Sequence, residues 1–300
     1  MKKVRVKVPA STTNLGPGFD CLGLALKLYN VVEIEKLPGS EVTIEIEGEG
    51  EANLPKDERN IIFPALEAVF KKVGKKPRGL RIRQINNIPL GRGLGSSAAT
   101  RLAGIAGANR LLETHLSTEE ILSLATELEG HPDNAAASLL GGFVIVAYTS
   151  EGLQWIKMDF PPGLKVLLVI PEILVPTRRA RDVLPRMVPI SDAVFNLSRL
   201  GIFLSSLTLK KWENLLFATQ DKLHQPYRES LIPGMGKVFQ AGKNAGARAV
   251  FLSGAGSGIA ALVDKEEERV AEAMREAFIS QGVRSKIMLL DTDKEGTLVD

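Results

Sequence analysis

The stretch PLGRGLGSSAAT, Pro89 to Thr100, constrains this chain more than any other. Alternating glycines at 91, 93 and 95 admit a backbone that few other residues follow, and Ser96 and Ser97 then precede a small, apolar run. Upstream, GLRIRQINNIPL reads as a strand. Downstream, Ala98, Leu102, Ile105, Asn109 and Leu112 recur at helical spacing, which predicts a helix from near Ser96. Strand, glycine loop and helix together make an anion cradle. Unpaired N–H groups at a helix start carry partial positive charge, and missing Cβ atoms let a phosphate approach. Ser96 and Ser97 can cap the helix or offer a hydroxyl to phosphate or metal. No Gly-Lys-Ser/Thr follows, and no acid closes a dinucleotide-binding βαβ unit about 20 residues on, so neither common nucleotide motif applies. Taken alone, the loop also reads as an ordinary strand-to-helix turn.

The flanking sequence shows what the loop is set in. Val4, Val6 and Val8 alternate with charge, as does EVTIEIEGEG, while PASTTNLGPGFD is turn-rich and CLGLALKLYNVVEIEKL holds two extended pieces. NIIFPALEAVFKKVG is helical with Gly74 as its C-cap. STEEILSLATELEG opens with a Ser117/Glu120 capping box and closes on Gly130, and GGFVIVAY is a buried strand. The pattern restarts beyond Gly152. Strand LKVLLVIP, helices between Thr177 and Lys222, and helix GMGKVFQAGKNAG lead to strands RAVFLSG and GIAALV, helix EEERVAEAMREAFISQG and strand RSKIMLLD. The class is α+β, with two domains expected at 1–155 and 156–300.

Charge and cysteine content narrow the function. Lys and Arg number 38 against 35 acids, and the densest basic cluster is Arg178, Arg179 and Arg181, which argues against a nucleic-acid partner. The single Cys21 rules out an internal disulfide or a cysteine-based zinc site. The N-terminus MKKVRVKVPAS lacks a signal-peptide core, and no apolar run approaches the roughly 20 residues that span a bilayer. A cytoplasmic protein with no membrane partner is expected. The Lys-rich stretch 71–79 reads as a solvated helix end.

Three segments, PASTTNLGPGFDCLGLAL (9–26), PLGRGLGSSAAT and LSGAGSGIAAL (252–262), together resemble the three signature motifs of the GHMP kinases, the superfamily of galactokinase, homoserine kinase and mevalonate kinase. The resemblance implies a two-domain GHMP kinase fold, with an N-terminal ribosomal-S5-like domain containing a left-handed βαβ crossover and a C-terminal ferredoxin-like domain. It also makes Pro89, Leu90, Gly91, Arg92, Gly93, Leu94, Gly95, Ser96, Ser97 and Ala98 the ATP phosphate loop. ELEGHPDNAAASLLGG (127–142), TRRARDVLP (177–185) and LHQPYRESLIP (223–233) resemble the homoserine kinase branch in particular. That branch implies ATP-dependent phosphorylation of the L-homoserine hydroxyl, a step of threonine biosynthesis.

Homoserine is a small zwitterion, so its site needs a carboxylate grip, an ammonium partner and a seat for the hydroxyl. The resemblance puts Arg181 and Arg228 on the carboxylate, which guanidinium holds bidentately. Asp20 then takes the ammonium group or orients the substrate, and His131 matches a substrate-contacting position. Asn14 and Asn134 aim the hydroxyl as uncharged amides, and Asp133 is either a general base or the ammonium partner. Glu127, an anion at the unfavourable end of its helix, is assigned with Ser97 to Mg²⁺, with Glu129 as the competing carboxylate. The third motif is expected to pack against the phosphate loop. A mevalonate-type kinase, a non-catalytic binding protein and an RNA binder on this fold are the alternatives, and a homodimer is left open.

Overall fold

The computed structural model describes residues 3–300. Its first sheet grows from one long hairpin. Strand β1 (Lys3–Asn14) begins with the expected alternation, Val4, Val6 and Val8 buried, and then runs on through the turn-rich segment with every residue covered. Its partner β2 (Gly18–Leu37) is one continuous strand of 20 residues rather than two pieces. The register shifts after Pro9, where proline has no N–H for the ladder. β3 (Val42–Gly48) pairs parallel with β4 (Gly79–Asn86) across helix α1 (Ile62–Val73), which makes the βαβ unit.

Helix α2 (Ser96–Leu112) starts where the glycine loop ends and is buried on almost every side. Its small residues permit this: a Cβ at Gly104 would lie 2.9 Å from Ala65, and one at Gly107 2.5 Å from Ile34. Helix α3 (Thr118–Glu129) carries the expected capping box and ends on a left-handed Gly130. Helix α4 (Asp133–Leu140), to which the sequence pattern assigned no element, follows at once. β5 (Phe143–Thr149) and β6 (Gly152–Met158) extend the sheet from β2, so the expected division at 155/156 falls inside β6.

A second, antiparallel sheet starts with β7 (Lys165–Pro171). Short helix α5 (Thr177–Asp182), long helix α6 (Ile190–Leu209) and short helices α7 (Leu215–Ala218) and α8 (Gln225–Arg228) follow it. Helix α9 (Met235–Asn244), strands β8 (Ala249–Leu252) and β9 (Ile259–Val263), helix α10 (Glu267–Ile279) and β10 (Ser285–Leu290) complete a βαββαβ layer in the order β10-β7-β9-β8. β11 (Leu298–Val299) returns to the edge of β1.

The two halves share a core. Val166, Leu168 and Ile170 on one face of β7 join the cluster built on β1, β2 and α2, while Leu167 and Val169 face α9 and α10. Period-2 alternation buried on both faces ties β7 to both layers. Among the described residues no helix is long and apolar enough to cross a membrane.

Candidate active site

Two hollows meet at the glycine loop. One, of about 560 Å³, lies between the halves and is lined by residues of all three motifs together with Glu129, His131, Asp133, Asn134, Arg181 and Arg228. The other, of about 500 Å³, lies on the far side of the loop among Leu54, Pro55, Asn60, Ile61 and Leu90. Gly91, Ser96 and Ser97 border both. Arg92 and Ala98 border neither: the Arg92 carbonyl accepts the Gly258 N–H at 3.1 Å, and Ala98 is buried in the core.

The reason for glycine differs from the one expected. Gly93 and Gly95 have φ of +74° and +71°. Their absent Cβ atoms point into the protein, where they would stand 1.9 Å from the Ser253 carbonyl and 2.3 Å from Ser11 Oγ. Only glycine allows both that backbone and that contact. The loop is thereby pressed onto the first and third motifs. Ser253 Oγ donates to the Gly93 carbonyl at 2.7 Å and sits 2.8 Å from Thr12 Oγ1. The first turn of α2 has no side-chain cap, which leaves its amides facing the cleft.

The first motif supplies a strained turn. Asn14, Leu15 and Asp20 all have positive φ. Asn14 Nδ2 donates to the Gly254 carbonyl at 3.0 Å and its Oδ1 accepts the Asp20 N–H at 3.0 Å, so this amide first of all joins two motifs. Asn134 Oδ1 accepts from Ser11 at 2.9 Å, and its Nδ2 donates to Thr13 at 3.4 Å. Each asparagine keeps one amide N–H for a ligand.

Arg181 and Asp20 pair with each other, Nη2 to Oδ1 at 2.8 Å and Nη1 to Oδ2 at 3.0 Å. The expected two-arginine clamp is thus asymmetric. Arg228, 2% exposed, has no carboxylate within 4.0 Å among the described residues. Its Nε donates to the Ala180 carbonyl and its Nη1 to the Gly254 carbonyl, each at 3.1 Å. Burial, and then Arg181, push its pKa down to about 10, so it stays cationic at neutral pH. The ring of Phe19 lies 5.6 Å from the Arg181 guanidinium and 5.3 Å from that of Arg228. Phe19 carried no sequence signal beyond its place in the motif.

His131 and Asp133 form a buried pair, Nδ1 to Oδ1 at 2.6 Å, and the Asn134 N–H donates to the same oxygen at 2.9 Å. Burial alone would raise the Asp133 carboxyl. The His131 bond and charge and the Asn134 N–H outweigh it and hold Asp133 below the usual range. Burial likewise opposes charge on His131, but Asp133 overcomes it and raises the imidazole. His131 Nε2 is buried without a hydrogen-bond partner, 4.0 Å from Glu129.

The metal assignment needs correction. Glu127 is exposed and takes only the Ser123 hydroxyl, at 3.3 Å, because its position on α3 turns it outward. Glu129, two residues on, points into the cleft, where Ser97 Oγ donates to it at 2.9 Å and Arg101 pairs with it. Arg101, one turn into α2, had no sequence signal. A hydroxyl and a carboxylate beside phosphate-facing amides form the hard oxygen set that a small divalent cation takes.

An anion cradle bordering a pocket that holds both cationic and anionic side chains can hold a polyphosphate against a small zwitterion. The N-terminal and C-terminal models of the GHMP kinases match residues 60–142 and 203–280. The fold is that of a GHMP kinase. A homoserine kinase of Caldicellulosiruptor saccharolyticus is 44% identical over 99% of this chain and 96% of its own length, and one of Moorella thermoacetica is 44% identical over 98% and 99%. The crystal structure of homoserine kinase from Cytophaga hutchinsonii superposes with a TM-score of 0.89 at 30% identity, over 100% of this chain and 98% of that one. A mevalonate kinase of L. major, solved with R-mevalonate, shares the fold at a TM-score of 0.74 but only 15% identity, over 96% of this chain and 95% of its own. The chain belongs to the homoserine kinase family of the GHMP kinases.

Proposed function

We propose that this chain transfers the γ-phosphoryl group of ATP to the side-chain hydroxyl of L-homoserine, giving O-phospho-L-homoserine and ADP, as a cytoplasmic step of threonine biosynthesis. One observation carries the choice of substrate. In the pocket between the halves, buried Arg228 stands with no carboxylate partner, and the same pocket is lined by a cluster of Asp20, His131 and Asp133 whose ligand atoms lie within 4.8 Å of one another. A carboxylate suits the first group and an ammonium the second; mevalonate offers no cation to the second.

Phosphoryl transfer is chiefly alignment and charge stabilisation. The amides opening α2 hold the phosphates, and the hollow beside Leu54, Asn60 and Ile61 takes the nucleoside. Asn14 and Asn134 each offer the remaining amide N–H to the hydroxyl or a phosphate oxygen. Glu129 and Ser97 would hold Mg²⁺, with Arg101 giving way at Glu129. The ion supplies neutralisation of phosphate charge. Asp133, held ionised by His131 and Asn134, is a weak base, so its part is to face the ammonium group. Arg181 grips the substrate carboxylate by exchanging it for Asp20.

ADP release measured with L-homoserine, mevalonate and 3-amino-1-propanol tests this reading. Homoserine is expected to dominate kcat/KM. Preference for mevalonate would overturn the reading.

A further inference from the structure

Arg228 can serve a substrate only if its guanidinium is aimed, and the residue that aims it lies in the same LHQPYR segment. His224 has no exposed surface and is stacked on Phe19, ring centroids 5.2 Å apart and planes 25° apart. Its Nε2 lies 2.7 Å from the Gly16 carbonyl, which can only accept, so Nε2 carries the proton. Nδ1 is therefore a lone pair, and it lies 3.2 Å from Arg228 Nη1. Burial holds the imidazole pKa below its ordinary value, which keeps Nδ1 unprotonated.

The N–H groups of Arg228 can then be counted. Nε goes to the Ala180 carbonyl, and the two protons of Nη1 go to the Gly254 carbonyl and to His224. Both protons of Nη2 remain for the cleft that Arg228 lines. Two of these three anchors are backbone carbonyls, Ala180 in short helix α5 and Gly254 in the loop after β8. The third is a side chain that is itself fixed by the strained turn at Gly16 and by Asp221, whose Oδ2 accepts the backbone N–H of His224 at 3.0 Å.

We propose that His224 is a positioning residue: its Nδ1 lone pair fixes the roll of the Arg228 guanidinium, so that Nη2 faces the carboxylate of the amino-acid substrate, and its Nε2–H locks the same ring to the turn that presents Asp20. The idea rests on the reading of the pocket as a homoserine site. His224 touches no reacting atom.

Asparagine and glutamine divide the two functions of the ring. Asn places its amide oxygen where Nδ1 stood, and Gln places its amide nitrogen where Nε2 stood. With a hydrogen bond to a charged group at stake, His224→Gln is expected to lower kcat/KM for homoserine about 10- to 100-fold, mostly through KM, while His224→Asn stays within about threefold of wild type. KM for ATP stays level in both. Turnover of 3-amino-1-propanol, which lacks the carboxylate, stays within about threefold of wild type in both variants. Equal homoserine losses in Asn and Gln, or a Gln loss as large for 3-amino-1-propanol as for homoserine, would overturn the proposal. Failure of wild type to phosphorylate homoserine would instead overturn the substrate reading. A readout free of substrate and mutation is the ¹⁵N spectrum of histidine in the wild-type enzyme. The expected result is the Nε2–H tautomer from about pH 6 to about pH 8, and a protonated Nδ1 would end the proposal.

Discussion

Replacing Glu129 with Gln and, separately, Glu127 with Gln distinguishes two carboxylates that leave the same last turn of α3. Glu129 has a side chain only 9% exposed and is held by Ser97 and Arg101 at the mouth of the phosphate cradle. Losing one preorganised electrostatic partner of a transferring group typically costs about 2.7–4 kcal/mol of transition-state stabilisation, or about 100- to 1000-fold in kcat. The Mg²⁺ concentration for half-maximal rate should rise as well. The fold should also weaken by about 1–3 kcal/mol, because Arg101, 22% exposed, loses its charged partner. Glu127 is exposed and meets only Ser123, so its exchange should alter stability by no more than about 0.5 kcal/mol and kcat by less than about twofold. The assay is ADP release against Mg²⁺ at saturating homoserine and ATP, with urea unfolding run on the same samples. A tenfold loss in Glu127→Gln, or Glu129→Gln at more than half the wild-type kcat, would refute the placement.

Three further outcomes are expected. Arg181→Leu should raise KM for homoserine about tenfold or more while KM for ATP stays within about twofold. The Asp20 pair is about one-third exposed, so stability should shift by at most about 1 kcal/mol, and equal damage to both substrates would contradict the assignment. Calorimetry of His131→Gln should show its largest deficit below about pH 6.5. The folded imidazole pKa lies above the unfolded one, so the wild-type advantage fades as pH rises through that raised value, and a gap that widened with pH would be the wrong sign. Gly93→Ala and Gly74→Ala share a positive φ, but only at Gly93 would the new Cβ meet backbone, at 1.9 Å, whereas Gly74 faces open space. Gly74→Ala should cost about 1 kcal/mol and Gly93→Ala distinctly more, enough to lower yield or melting temperature sharply; equal costs would mean the loop yields freely.

Periodicity exposed β4, α1, α3 and α10, which bury one face, while α2, β7, β8 and β9, covered on nearly every side, could be read from their small or apolar runs. Covered segments rich in polar residues were missed. β1 beyond Pro9 is covered on both faces and rich in Ser, Thr and Asn, which in a sequence read as turn residues. Helix α4 begins at Pro132-Asp133-Asn134, a turn signal made helical by packing of its alanines against β1 and β2. At the site, family resemblance pointed to the loop and to Asp20, His131, Asp133, Arg181 and Arg228, which the structure brings to one pocket. That Glu129 rather than Glu127 faces the cleft follows from the rotation of α3 relative to α2, which packing sets and local sequence does not reveal. Arg101 lies outside the quoted motifs, while Phe19 and His224 lie within them, but their contacts are long-range and no spacing assigns them a role.

The central claim is that the phosphoryl group reaches the side-chain hydroxyl oxygen of a bound amino acid, rather than its carboxylate or another alcohol. ³¹P spectra of a reaction with ATP and L-homoserine test this directly. The account predicts one new phosphomonoester signal, split by two methylene protons and growing in step with ADP. An acyl-phosphate signal, or ADP formed with no ester, would contradict it.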